Sequence, residues 1–218
     1  MSLNVRRSII VSIVGLAVLA GSLALARSAQ DSKSTGGGAQ AQLPPGVNSE
    51  ELEACIAAGT PGPQHERLAK SVGVWHGKTQ MFFGPDSSEP ARGECTWTVT
   101  SIYGGRYIRA DLDAELPGMG GFTGIGFAGF DNVSQQYVGT WLDSNSTGIM
   151  NGTGELSSDG VTLSWKYNTN CPITRRPTIV REVQTTTGPD TMVFEMFTTD
   201  LHTGKEYKCM HIDFTRKP

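Results

Sequence analysis

A chain of 218 residues with a formal charge of −3 is long enough for one domain of ordinary size, and its weak, evenly spread acidity excludes a nucleic-acid partner, which needs a basic face. Twenty-seven glycines, many threonines and few runs of helix formers argue for strands joined by tight turns rather than for long helices.

The first residues read as an address. Arg6 and Arg7 precede an apolar run over residues 9–26, and Ala24 and Ala26 supply the small residues at which a signal peptidase cuts. Residues 1–26 are therefore expected to be a signal peptide or, because a membrane span needs only roughly 17–25 apolar residues, an N-terminal membrane anchor. Either reading makes the protein exported, periplasmic or secreted, and brings it to a membrane only through residues 9–26 if they are retained. No cysteine lies near the cleavage site, so a lipoprotein signal is excluded. Residues 27–47, rich in Ser, Gly, Gln and Pro, read as a flexible linker, which leaves 48–218 as a single domain.

That domain is expected to open with short helices. One is capped by Asn48 or Ser49, carries Glu50, Glu51 and Glu53 where the helix dipole favours acids, and closes at Gly59. A second covers 64–71, with Leu68 and Val72 spaced to pack inward. From Val74 onward apolar residues alternate, giving ten strands at 74–83, 92–103, 106–116, 122–130, 136–142, 148–156, 162–167, 178–186, 191–199 and 206–216. Turn formers separate each pair. Evenly spaced strands with short links make an antiparallel meander, and ten of them curl into an all-β, up-and-down barrel that leaves no open edge.

Four cysteines, Cys55, Cys95, Cys171 and Cys209, allow two disulfides in any of three pairings, or four small buried thiols. None of their spacings is C-x-x-C, so redox and zinc-ribbon sites lack their signal, and His65, His76, His202 and His211 share no metal-ligand spacing. Gly124, Gly126 and Gly129 spell G-x-G-x-x-G, but a dinucleotide site needs those glycines at a strand-to-helix turn, and here they lie within an alternating stretch. A crowded cavity wall explains them better.

Two marks carry a resemblance. Gly73, Val74 and Trp75 at the start of the first strand, with Arg216 at the end of the last, resemble the calycin superfamily of lipocalins and their relatives. The resemblance implies that Trp75 plugs one end of the barrel beneath Arg216, a stacking worth roughly 0.5–2 kcal/mol. The succession GPQHERLAKSVGVWHG, YGGRYIRADL, GFAGFDN, QQYVGTWLDS, STGIM, VREVQT, VFEMF, GKEYKCMHIDFTRK over residues 62–217 is similar to the bacterial domain-of-unknown-function family 1579. That likeness implies a lipocalin-like barrel and brings no established activity. Some haem-binding barrels of this type hold iron through a histidine near the C-terminus. His211 stands out of phase with the apolar Met210, Ile212 and Phe214, so haem is not expected and no cofactor is predicted.

The functional expectation is a barrel holding a small, largely apolar molecule against Trp97, Phe127, Trp141 and Phe194. Arg181 and Glu195 stand between apolar neighbours, and a hairpin centred on Gly188 sets them opposite each other. They form either an interior ion pair that orients a polar head or an exposed cross-strand bridge, the second if Met192, Phe194 and Met196 point inward. Asp143 shares a strand face with Trp141 and is a candidate partner for a ligand or for Arg106 or Arg109. An enzyme using Arg181, Glu195 and Asp143 for acid–base chemistry is the alternative, and a structural part of the cell envelope the second alternative. No Ser, His and acid set or nucleophile elbow supports hydrolysis.

Overall fold

A computed structural model of the chain describes Gly46, residues 48–116, Gly118 and residues 120–218. The expected leader and, Gly46 apart, the expected linker lie outside the described residues. The chain divides into two units, residues 1–60 and residues 61–218. Among the described residues no helix is long and apolar enough to cross a membrane.

Helix α1, Ser49–Ala58, belongs to the first unit. Its start is fixed by a reciprocal cap: Glu51 N donates to the Asn48 side chain at 2.9 Å, and Asn48 N donates to the Glu51 carboxylate at 3.1 Å. Helix α2, Pro63–Ala69, opens the second unit, and Gly62 N donates to His65 Nδ1 at 3.0 Å. It buries His65 and Leu68. Val72, expected to pack inward one turn after Leu68, is instead 37% exposed, because the helix stops at Ala69 and the four-residue spacing loses its helical meaning.

Ten strands follow: β1 Gly73–Met81, β2 Ala91–Ile102, β3 Tyr107–Leu116, β4 Gly120–Asp131, β5 Gln136–Asp143, β6 Met150–Leu156, β7 Thr162–Asn170, β8 Pro177–Gly188, β9 Thr191–Thr199 and β10 Glu206–Arg216. Each pairs antiparallel with the next, and β1 pairs with β10, so the meander closes into a barrel. The ten expected strands are all present in order, with ends displaced by a few residues. One phase of each strand points inward. Val99, Ile108, Ala110, Tyr137, Leu163, Trp165, Ile212 and Phe214 carry the buried apolar ladder.

All four cysteines are free, so the disulfides that an even count allowed are not formed. Cys95 is in β2, Cys171 follows β7 and Cys209 is in β10, and no two of these strands are neighbours. Cys95 is buried against Gly77, and burial pushes its thiol up to about 12.

The closure is made by the residues that first suggested it. Trp75 and Arg216 are direct cross-strand partners, and the guanidinium carbon of Arg216 stands 4.1 Å from the centre of the Trp75 ring. Trp75 Nε1 donates to the Ser71 carbonyl at 2.8 Å. Arg216 spends its other donors on Asp190 (3.0 Å), the Lys70 carbonyl (2.8 Å) and the Val72 carbonyl, tying β10 to the segment between α2 and β1. Gly73 makes room: its φ is +141°, and a Cβ there would lie 2.6 Å from Arg216 Nη1. With Trp75 only 3% exposed, Trp75→Ala is expected to destabilise the protein by about 3–5 kcal/mol in thermal or urea unfolding, and an unchanged transition would mean that the barrel closes without it.

Candidate functional site

The inward phase of the strands does not fill the barrel. A cavity of about 780 Å³ runs inside it, lined by side chains of α2 and of the strands. Most of the wall is aliphatic, aromatic or methionine: Leu112, Phe194, Met196 and Met210 are among the lining residues, with Trp97 set 5.3 Å from the Phe214 ring. That volume lies within the range of ordinary small-molecule sites.

Glycines shape one side. Gly124 and Gly126 of β4 lie under the indole of Trp141, where a Cβ on Gly124 would come within 2.2 Å of the ring. Gly129, on the opposite phase, lies under Tyr107. The G-x-G-x-x-G string therefore serves ring packing on both faces of a strand. Trp141 Nε1 donates to Asp143 Oδ2 at 3.1 Å, and Asn145 N donates to Asp143 Oδ1 at 2.9 Å, so this carboxylate is held at the β5 end of the cavity and meets neither Arg106 nor Arg109. Arg109 instead pairs with Asp111 on the outer surface.

Of the residues expected to bind a ligand, Trp97, Trp141, Asp143 and Phe194 line the cavity. Phe127 borders it between Gly126 and Ala128, but it occupies the alternate phase of β4 and is 38% exposed, so its ring belongs to the outer face. Arg181 and Glu195 also correct the expectation. The hairpin turns at Pro189 and Asp190 with a bulge between Thr186 and Gly188, which sets Arg181 opposite Phe197 and Glu195 opposite Val183. Met192, Phe194 and Met196 take the inward phase. Arg181 lies over the Phe197 ring at 3.8 Å and donates to both Glu206 oxygens at 3.1 and 2.7 Å. Glu195 is held by Lys208 at 2.8 Å, and His211 stands between Glu195 and Asp213, away from the cavity. Arg181, Glu195 and Asp143 do not converge, which removes the acid–base set on which an enzyme was imagined.

The residue that sequence reasoning missed is Glu182. It sits midway along β8 on the inward phase, with Trp165 and Met196 as cross-strand partners and Val180 and Gln184 beside it on the wall. It is half-buried on the cavity wall, and burial pushes its carboxyl up to about 8. The signal was available: the apolar ladder Met192, Phe194 and Met196 fixes the inward phase of β9, and its partners on β8 are then Thr186, Gln184 and Glu182. Unfolded, the group ionises near 4.5; folded, near 8. The folded state thus holds the proton more tightly, so the carboxyl costs nothing below the lower value and costs progressively more as pH rises to the upper one. Glu182→Gln should leave stability nearly unchanged below about pH 4 and raise it by roughly 2–4 kcal/mol above about pH 9, as chemical denaturation across that range would measure. A pH-independent effect would contradict the burial.

The sequence profile of the family described as "Protein of unknown function (DUF1579)" matches residues 60–216. Among solved structures the chain is similar to Rv2717c from M. tuberculosis, at 12% identity and a TM-score of 0.53, over 73% of this chain and 100% of that one. It is also similar to the S-type phycobiliprotein lyase CPES from Guillardia theta, at 11% identity and a TM-score of 0.48, over 72% of this chain and 99% of that one. At such identities the likeness to the first shows the barrel fold alone. No curated protein matches the sequence.

Proposed function

Because the chain belongs to the DUF1579 family, whose function is unknown, its activity has to be read from the site, and we propose that the barrel binds a small, largely apolar molecule. The cavity carries the proposal: about 780 Å³ of space enclosed by a mainly apolar wall stabilises an apolar guest by removing its surface from water. The loops that face away from α2 support it. Phe83, Ile149, Ile173 and Leu201, one in each of four of these loops, are exposed large apolar residues around the end through which such a guest would enter. Export belongs to the same proposal and rests on Arg6, Arg7 and the apolar run of residues 9–26.

Titration with prodan, a neutral apolar fluorophore, is expected to give saturable blue-shifted emission at one site. Leu112→Trp fills the cavity and should weaken that binding at least about tenfold while the circular dichroism stays that of the barrel. Equal binding by both proteins would place the probe elsewhere and remove the proposal. N-terminal sequencing of the protein recovered from its own cells is expected to begin after Ala26 or, for an anchored form, to find the intact leader in the membrane fraction. An intact leader on soluble cytoplasmic protein would refute export.

A further inference from the structure

Glu182 does not fit a purely apolar guest. Midway along the cavity wall, its carboxyl has no hydrogen-bond partner and no cation beside it among the described residues. The other charged groups on the lining belong to the ends. Asp143 is satisfied by Trp141 and Asn145, and Arg216 by Asp190 and two carbonyls. Arg67 and Lys70 stand on and just after α2. The neighbours of Glu182 offer no countercharge. Tyr167 from β7 and Cys209 from the β10 bulge are the ionisable groups that feel it, and burial raises both, the thiol to about 11, so both are neutral at neutral pH. Met196 faces it from β9.

A neutral hydrogen bond to a ligand needs no acid here, since Gln184 presents an amide on the same face two residues along. A carboxyl in such a place repays its desolvation only against positive charge, because the attraction between opposite charges grows in the same dry surroundings that penalise each alone. The adjoining wall suits a cation as well. Trp165, the cross-strand partner of Glu182, and Tyr167 stack at 5.7 Å, and aromatic faces attract ammonium groups.

We propose that Glu182 anchors a basic nitrogen, so that the ligand of this barrel is a small apolar amine whose ammonium group pairs with the Glu182 carboxylate while its apolar remainder fills the cavity. The inference rests on the binding function above and narrows its ligand class. In the empty barrel the carboxyl holds its proton at neutral pH. The incoming ammonium keeps its own protons, and the proton of Glu182 leaves to solvent as the ion pair forms.

Competition against bound prodan separates the possibilities. Decylamine is expected to displace the probe at about one-tenth the concentration that decanol requires, and Glu182→Gln should abolish that advantage while leaving decanol unchanged. A second readout uses the unaltered protein: in weak buffer near pH 7, decylamine binding should release close to one proton, followed with an indicator dye, and decanol binding none. Equal competition by decanol and decylamine, stronger competition by decanoic acid, or amine binding without proton release would each overturn the amine and leave the binding function standing. Failure of prodan to bind would overturn both.

Discussion

The indole of Trp75 beneath the guanidinium of Arg216 joins the first strand to the last, and the meander is a barrel only because that junction closes. Hairpin hydrogen bonding settles the other nine strand pairs locally. The β1–β10 pair spans the whole domain, and ordering so long a loop carries an entropic cost that local contacts do not repay. Stacking at 4.1 Å, an ion pair to Asp190 and two carbonyl contacts to the segment before β1 supply the compensation at one place. The same junction holds α2 against β3 and β4 at one end, so the interior can stay open without the barrel's losing its shape. A stable rim permits an underfilled middle.

The fold was legible because its signals are periodic. Alternation and turn residues gave ten strands, and a family resemblance carried by Gly73, Trp75 and Arg216 marked the seam. The site was legible only as far as phase could be read. Trp97, Trp141 and Phe194 are large and apolar, and the inward assignment suited them whatever the exact register. Arg181 and Glu195 depended on the hairpin turn, and a bulge at Thr186 and Gly188 moved the pairing from a centre at Gly188 to a turn at Pro189 and Asp190. A bulge adds a residue without disturbing composition, so alternation does not reveal it. Phe127 failed for another reason: it was placed inside for its size, yet it holds the outward phase of β4, and the inward Gly124 and Gly126 leave their space to Trp141. Val72 failed because a helical spacing was carried past the end of the helix.

What the barrel encloses is a mostly apolar space with Asp143, already hydrogen-bonded, at one end and the unpaired carboxyl of Glu182 set midway along its wall. The two features oppose each other energetically, since the surroundings that favour an apolar guest are those that penalise an unpaired acid. Their coexistence is explained if the guest brings both apolar surface and positive charge. The outer face is organised differently. There Arg181 pairs with Glu206 and Lys208 with Glu195 in the manner of a solvated surface, apart from the cavity.

The claim on which all of this stands is that the cavity is a binding site rather than a packing defect. Native mass spectrometry of the full chain, purified without detergent from the cells that make it, tests that claim most directly. The account predicts a discrete small-molecule adduct on the folded protein, lost on collisional activation and absent after denaturation. Folded protein recovered at its bare mass, with no adduct under the gentlest transfer conditions, would contradict it.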